Sequence, residues 1–250
     1  MTGRISLSWL EYDVLWEHLR LGVFRPVLSV PSPGRTQEER AELRAKAWAS
    51  LTAKGIDKDD DRLVRMLTRL AQPEWELDAR MQLTQTGPRT TVLIARAGRH
   101  ATVAVLNDDE LRLWSAKQEE VVTEATYLMP THPAGTGGSI TLPTTALDQA
   151  AAKAGSDPER FTRVLSNQGM GKSEARKLTE VLGNVIRLAH FGAAHTLPGE
   201  ARRRASHVVS VYDNPEGRYL FTRKKDWVTL VPGTEAALAR QLSELLSSIA

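Results

Sequence analysis

Cysteine is absent from the 250 residues of this chain. That absence removes disulfides, thiolate nucleophiles and cysteine-ligated zinc from consideration. Long apolar runs are missing too: nowhere do about 18 or more apolar residues follow one another, the length a membrane-spanning helix needs, so no membrane insertion is expected. Charge of one sign is scarcely in excess. The formal net charge is +3 and the isoelectric point near 9.3, a mild hint rather than the concentrated cationic face of a dedicated nucleic-acid binder. Glu11, Asp13 and Glu17 interrupt the apolar content of the N-terminal stretch, unlike a signal-peptide core. A cytoplasmic location is expected.

The usual chemical signatures are missing as well. The six histidines, His18, His100, His132, His190, His195 and His207, show no metal-ligating spacing, and no carboxylate stands between His190 and His195. No G-x-S-x-G elbow presents a serine nucleophile. The segment containing Gly171, Lys172 and Ser173 imitates a phosphate loop, but Ser166 occupies the place of the required first glycine. A helical pattern, not a strand, leads into it, so Ser173 is expected to be a helix N-cap. Neither a catalytic residue, a cofactor nor a metal is therefore expected.

What is present is an ordinary globular composition, 41% hydrophobic and 25% charged, enough to bury a proper core. Ser8 with Glu11, and Thr36 with Glu39, have capping-box spacing and open helices reaching about Arg20 and Gly55. The first is apolar around much of its circumference, which suits either burial or a dimer. A third helix is expected from about Asp60 to Ala71, ending before Pro73.

The period then changes from helical to alternating. Trp75, Leu77, Ala79, Met81 and Leu83 alternate with Glu76, Asp78, Arg80, Gln82 and Thr84, which predicts a long strand with one buried face. Turns at "QTGPR", "AGR" and "NDDE" make the following strands an antiparallel meander, expected to continue through "VVTEATYLM". "THPAGTGGS" has the composition of a flexible connection; its backbone N–H groups could wrap an anion, but no strand or cationic clamp accompanies it.

The second half replays the order: three short helices, then strands at "NVIRLAHF", "ASHVVSVY", "GRYLFTR" and "WVTLVP". Thr234 caps a last helix with Leu238, Leu242, Leu245 and Ile249 on one face. Helices followed by strands, twice, predict an α+β fold built from a duplicated helices-plus-meander unit. The halves are expected at about 1–130 and 139–250, joined through 131–138.

The strongest cationic groups are Arg202, Arg203 and Arg204, and Arg223, Lys224 and Lys225 beside Tyr219, Phe221 and Trp227. They could hold phosphates while the aromatics stack on bases. The aromatics are needed for sheet packing, however, and Asp213, Glu216 and Asp226 dilute the field. A hairpin turn in the second copy of the unit is the expected role of "TRKKDW", with a nucleic-acid-binding regulator as the alternative.

Four phrases together, "SLSWLEYDVLWEHLRLG", "RAELRAKAWASLTAKGI", "EWELDARM" and "GRYLFTRKKDWVTLVPGTEAALARQLSELL", resemble the EspG proteins of actinobacterial ESX (type VII) secretion. The resemblance runs over essentially the whole chain. It implies a quasi-twofold fold with a central antiparallel sheet flanked by two helical bundles. It also implies a cytosolic, non-enzymatic chaperone that binds the tip of a helical-hairpin substrate, typically the PPE partner of a PE–PPE pair. Where such pairs are lacking, a WXG100-like protein is the expected client. A monomer or weak homodimer is expected. By position, the cargo-binding loop corresponds to Gln85, Thr86, Gly87, Pro88, Arg89 and Thr90, and the C-terminal bundle contributes Arg240 and Glu244.

Overall fold

The computed structural model describes residues 3–197 and 199–249. Its contacts divide the chain into two compact units. The first comprises Met1–Arg80, Pro88–Ala125 and Ala194–Arg203; the second comprises Met81–Gly87, Thr126–Ala193 and Arg204–Ala250.

In the first unit β1 (Ile5–Ser8) leads directly into α1 (Trp9–His18). Ser8 closes the strand and caps the helix, with Glu11 returning the capping-box bond to the Ser8 backbone at 2.6 Å. The same device, Thr36 with Glu39, opens α2 (Gln37–Ala53). Asp60 accepts from the Leu63 backbone at 2.8 Å and opens α3 (Asp61–Ala71). Each cap satisfies backbone donors that the first helical turn leaves without partners. The meander follows as β2 (Trp75–Gln82), β3 (Arg89–Ala97), β4 (His100–Leu106) and β5 (Glu110–Lys117). The strands stand in the order β1-β5-β4-β3-β2.

Tyr12, Leu15 and Trp16 of α1 pack with Leu51, Leu63, Met66, Leu67 and Leu70 against Leu93 and Leu113 of the sheet. The broad apolar surface of α1 is thus consumed within the core of its own unit.

Two local expectations change here. "VVTEATYLM" forms not a strand but α4 (Val121–Tyr127). A 3-10 turn at Gln118–Glu120 ends the meander, and the buried residues Val121 and Ala125 are spaced as one helical face. The β-branched run Val121, Val122, Thr123 obscured that period. Strand β2 does not bury one face alone: Glu76 and Asp78 are 2% and 3% exposed, as buried as Leu77 and Ala79 beside them. Glu76 is tolerated there because Arg202 Nε donates to Glu76 Oε1 at 2.6 Å and Arg25 lies 3.8 Å from its other oxygen.

The second unit begins with β6 (Ile140–Pro143) and α5 (Thr144–Ala154), α6 (Pro158–Asn167) and α7 (Lys172–Gly183). The N-cap of α7 is Gly171, so Ser173 lies inside the helix rather than capping it. Strands β7 (Arg187–His195), β8 (Arg203–Arg204), β9 (Val209–Asn214), β10 (Gly217–Arg223) and β11 (Trp227–Pro232) come next, before α8 (Glu235–Ser247). The main ladder runs β7-β9-β10-β11-β6, with antiparallel pairing at every step. Leu238, Leu242, Leu245 and Ile249 are buried, the single face their spacing predicts. Helices followed by antiparallel strands make the fold α+β, as the order of elements implies.

The segment joining α4 to β6 is bound to β10. Arg218 N donates to Pro133 O at 2.7 Å, and Gly135 N donates to Arg218 O at 2.8 Å. A Cβ at Gly135 would stand 2.0 Å from the Tyr219 ring, so only glycine fits this approach. Beneath it, Asp213 is fully buried and accepts from Arg218 Nε and Nη2 at 2.7 and 2.9 Å, with Arg187 Nε at 3.1 Å. Arg187 Nη2 donates to His132 Nδ1 at 2.9 Å, so His132 Nε2 donates to Asn214 O. No helix of the described residues is long and apolar enough to cross a membrane.

Candidate functional site

The loop expected at Gln85, Thr86, Gly87, Pro88, Arg89 and Thr90 is shorter than that. Arg89 and Thr90 already belong to β3, whose pairing with β4 ends at Thr91. The exposed part holds Thr84, Gln85, Thr86 and Pro88. What shapes it is a residue the sequence pattern treated as merely outward-facing. Gln82 Nε2 donates to Thr84 O at 2.8 Å and to Gly87 O at 2.7 Å. Gly87 closes the turn from the other side, where a Cβ would fall 1.9 Å from Thr84 Oγ1. Nothing in residue spacing marks Gln82 for this task.

Arg240 and Glu244 lie one helical turn apart on the outer face of α8, 4.0 Å from each other and 69% and 63% exposed. Glu244 also borders a groove of about 190 Å³ that runs between α8 and the strands β9, β10 and β11. His207, Lys224, Trp227 and Gln241 line it with Glu244. Thr222 Oγ1 donates to Gln241 Oε1 at 3.0 Å and holds one wall. Trp227 is 54% exposed, whereas Tyr219 is buried and Phe221 half-buried. The aromatics of the hairpin therefore divide: two pack, and one presents an apolar surface. Burial and the neighbouring Lys224 hold the His207 imidazole below its usual range, partly offset by Glu244. Among the described residues no hydrogen bond or ion pair joins 85–87 to Arg240 or Glu244.

The cationic groups are largely engaged by acids. Arg202 binds Glu76, Arg203 lies 3.3 Å from Glu200, and Arg223 holds both oxygens of Asp148 at 2.8 and 2.7 Å. Lys224 and Lys225 form the turn of the β10–β11 hairpin with Asp226, and Lys224 N donates to Trp227 O at 2.9 Å. "TRKKDW" is thus a hairpin turn. Its arginine is paired bidentately with Asp148, which weakens the field a phosphate backbone would seek. Among the described residues no group of three or more acids and histidines could hold a metal ion.

With this geometry in view, the similarity to known proteins is decisive. The model of the EspG family matches residues 8–244. The chain belongs to the EspG family. No curated protein matches it in sequence. Among solved structures, the Mycobacterium tuberculosis type VII secretion system chaperone EspG5, in complex with the PE25–PPE41 dimer, superposes with a TM-score of 0.79 at 15% identity. That superposition covers 99% of this chain and 97% of EspG5. An N-terminal dehydratase from the difficidin assembly line reaches a TM-score of 0.14 at 10% identity, covering 75% and 88% of the two chains, which is no likeness of fold. This EspG-family chain therefore shares the EspG5 fold from end to end.

Proposed function

We propose that this EspG-family protein is a chaperone of a type VII (ESX) secretion system. It binds the tip of an elongated helical-hairpin substrate, PE–PPE-like or WXG100-like, and keeps it soluble and competent for secretion. The observation that carries this is the agreement in fold, over 99% of the chain, with a chaperone solved in complex with a PE–PPE dimer. A hairpin tip with exposed apolar groups tends to self-associate, and a partner that covers it shifts that equilibrium by mass action. Such work calls for no covalent chemistry, and we assign the protein neither enzymatic activity nor cofactor. It acts in the cytosol, before the substrate is exported.

The contacts we assign to the substrate are Gln85, Thr86, Gly87 and Pro88 of the turn, Arg89 and Thr90 at the start of β3, and Arg240 and Glu244 on α8. The groove beside Glu244 supports the α8 assignment: exposed Trp227 offers apolar area, and Lys224 and Glu244 offer charges of both signs at its rim. This is the composition of a wet, releasable interface. The duplicated organisation, with halves at about 1–130 and 139–250 around 131–138, is part of the same proposal. Hydrogen exchange resolved by segment is expected to show two protected blocks meeting there; one indivisible block would refute it.

The test of function is co-expression with PE–PPE and WXG100 pairs from the same genome, followed by gel filtration at about 0.3 M salt, where phosphate contacts are strongly screened. A stoichiometric complex that is lost when 85–90 is replaced supports the chaperone role. If no pair is held at any salt, and nucleic acid is bound with steep salt dependence, the protein is instead a nucleic-acid-binding regulator.

A further inference from the structure

We infer that Gln82 is the positioning residue that pre-sets the turn after β2 for its partner. This rests on the assignment of that turn to substrate binding, but it concerns a residue outside the assigned segment. Thr84, Gln85, Thr86 and Pro88 are exposed, so no packing from the core holds the tip of the turn. The primary amide of Gln82 braces that tip from inside. It stands at the last position of β2, half-buried, so its stem is anchored in the sheet. Its single nitrogen then spends both N–H groups on carbonyls at the two ends of the turn, Thr84 O and Gly87 O. The side chain thereby spans the loop from inside and leaves Gln85 and Thr86 pointing to solvent for contact. Gly87 is the matching element, since the space a larger residue would need is taken by the Thr84 hydroxyl.

A group that positions a loop without touching the partner raises the fraction of molecules already competent to bind. Its removal lowers the association rate, whereas loss of a direct contact mainly speeds dissociation. That difference makes the role measurable. Gln82→Met keeps the length and removes both donors; Gln82→Glu keeps the shape and, ionised, cannot donate at all. Two readouts are needed, one of which requires no partner.

Backbone ¹⁵N relaxation at 85–87 reads the turn itself. Order parameters typical of rigid backbone, about 0.85, are expected to fall below about 0.6 in both variants, with unchanged values in α8 as the control for folding. Stopped-flow binding to the co-purified PE–PPE-like dimer reads the consequence. The association rate is expected to fall on the order of 10-fold, with the dissociation rate within about 2-fold of the unaltered protein.

Order parameters that do not change in either variant overturn the proposal, and so does a loosened turn with an unaltered association rate. Gln85→Ala with Thr86→Ala separates the two layers. If that pair binds like the unaltered protein while the Gln82 variants loosen the turn, the substrate assignment of the turn fails, and the role of Gln82 in binding falls with it.

Discussion

Replacing Asp213 with alanine should be among the most damaging single changes in the second unit. Its carboxylate is fully buried and takes two hydrogen bonds from Arg218, itself 2% exposed, with Arg187 in contact from the other side. Removing it strands the Arg218 guanidinium in the interior with one carbonyl, Pro130 O at 2.6 Å, as its remaining hydrogen-bond partner among the described residues. Breaking a buried pair from one side costs about 3–5 kcal/mol. At this chain length each kcal/mol moves the melting midpoint by about 2–4 °C, so a fall of roughly 6–20 °C is expected. Removing both charges is a different perturbation. Asp213→Leu with Arg218→Met leaves no uncompensated ion among the pair, and Arg187, whose side chain is 21% exposed, can turn to water. The double variant should therefore melt above Asp213→Ala, with a coupling of about 2 kcal/mol or more in a double-mutant cycle. Thermal and urea unfolding of the unaltered protein, Asp213→Ala, Asp213→Leu, Arg218→Met and the double variant measures this. A shift of less than about 3 °C for Asp213→Ala, or simple additivity of the single changes, would refute the view that each of these two buried charges depends on the other.

Other outcomes follow from the same geometry. Burial alone would raise the Glu11 pKa, but hydrogen bonds from Lys54, Ser50 and the Ser8 backbone bring it below the usual carboxylate range. Its stabilising effect is full above the unfolded value near 4.3 and is lost as pH falls through the lower folded value, so Glu11→Gln should flatten the acid limb of a urea-midpoint profile. His207 is also depressed, by burial and by Lys224. Below its unfolded value, near 6.5, the unfolded chain takes the proton first, so stability declines with falling pH, and His207→Gln should remove that part of the slope. Gly135→Ala forces a methyl group against the Tyr219 ring and should cost about 1–3 kcal/mol in denaturant unfolding. Arg240→Ala with Glu244→Ala breaks an exposed pair and should change stability by less than about 1 kcal/mol while weakening capture of the substrate in gel filtration.

Capped helices were the most legible part of the molecule, because a cap is a local event. Ser8 and Glu11, or Thr36 and Glu39, meet within one turn of chain whatever surrounds them. The meander was legible for a similar reason: alternation and turn residues act over two to four positions. Where local preference and tertiary packing disagreed, the sequence pattern misled. Val121, Val122 and Thr123 favour a strand, yet the chain after Lys117 turns away from the sheet and buries Val121 and Ala125 as a helix. The short strands β1 and β6 gave no signal of their own; each exists because a ladder partner, β5 or β11, lies beside it.

The candidate site divides in the same way. A turn near Gly87 and Pro88 and an exposed face at Arg240 and Glu244 could be read from residue types, and so could the hairpin at Lys224 and Lys225. The clamp from Gln82, the exposure of Trp227 and the His207 groove could not, since each depends on atoms brought together across the fold. Nor could the burial of Glu76 and Asp78 in an alternating strand. Glu76 finds Arg202 at a separation of 126 residues, and until that partner arrives a carboxylate at that position belongs in water. By itself, then, the sequence determined the α+β class, the two capping boxes and most element limits, because those follow from short-range sterics and periodicity. Only tertiary structure decided which polar groups are buried, which aromatic is left exposed and what holds the turn, because desolvation and pairing are properties of neighbours distant in the chain.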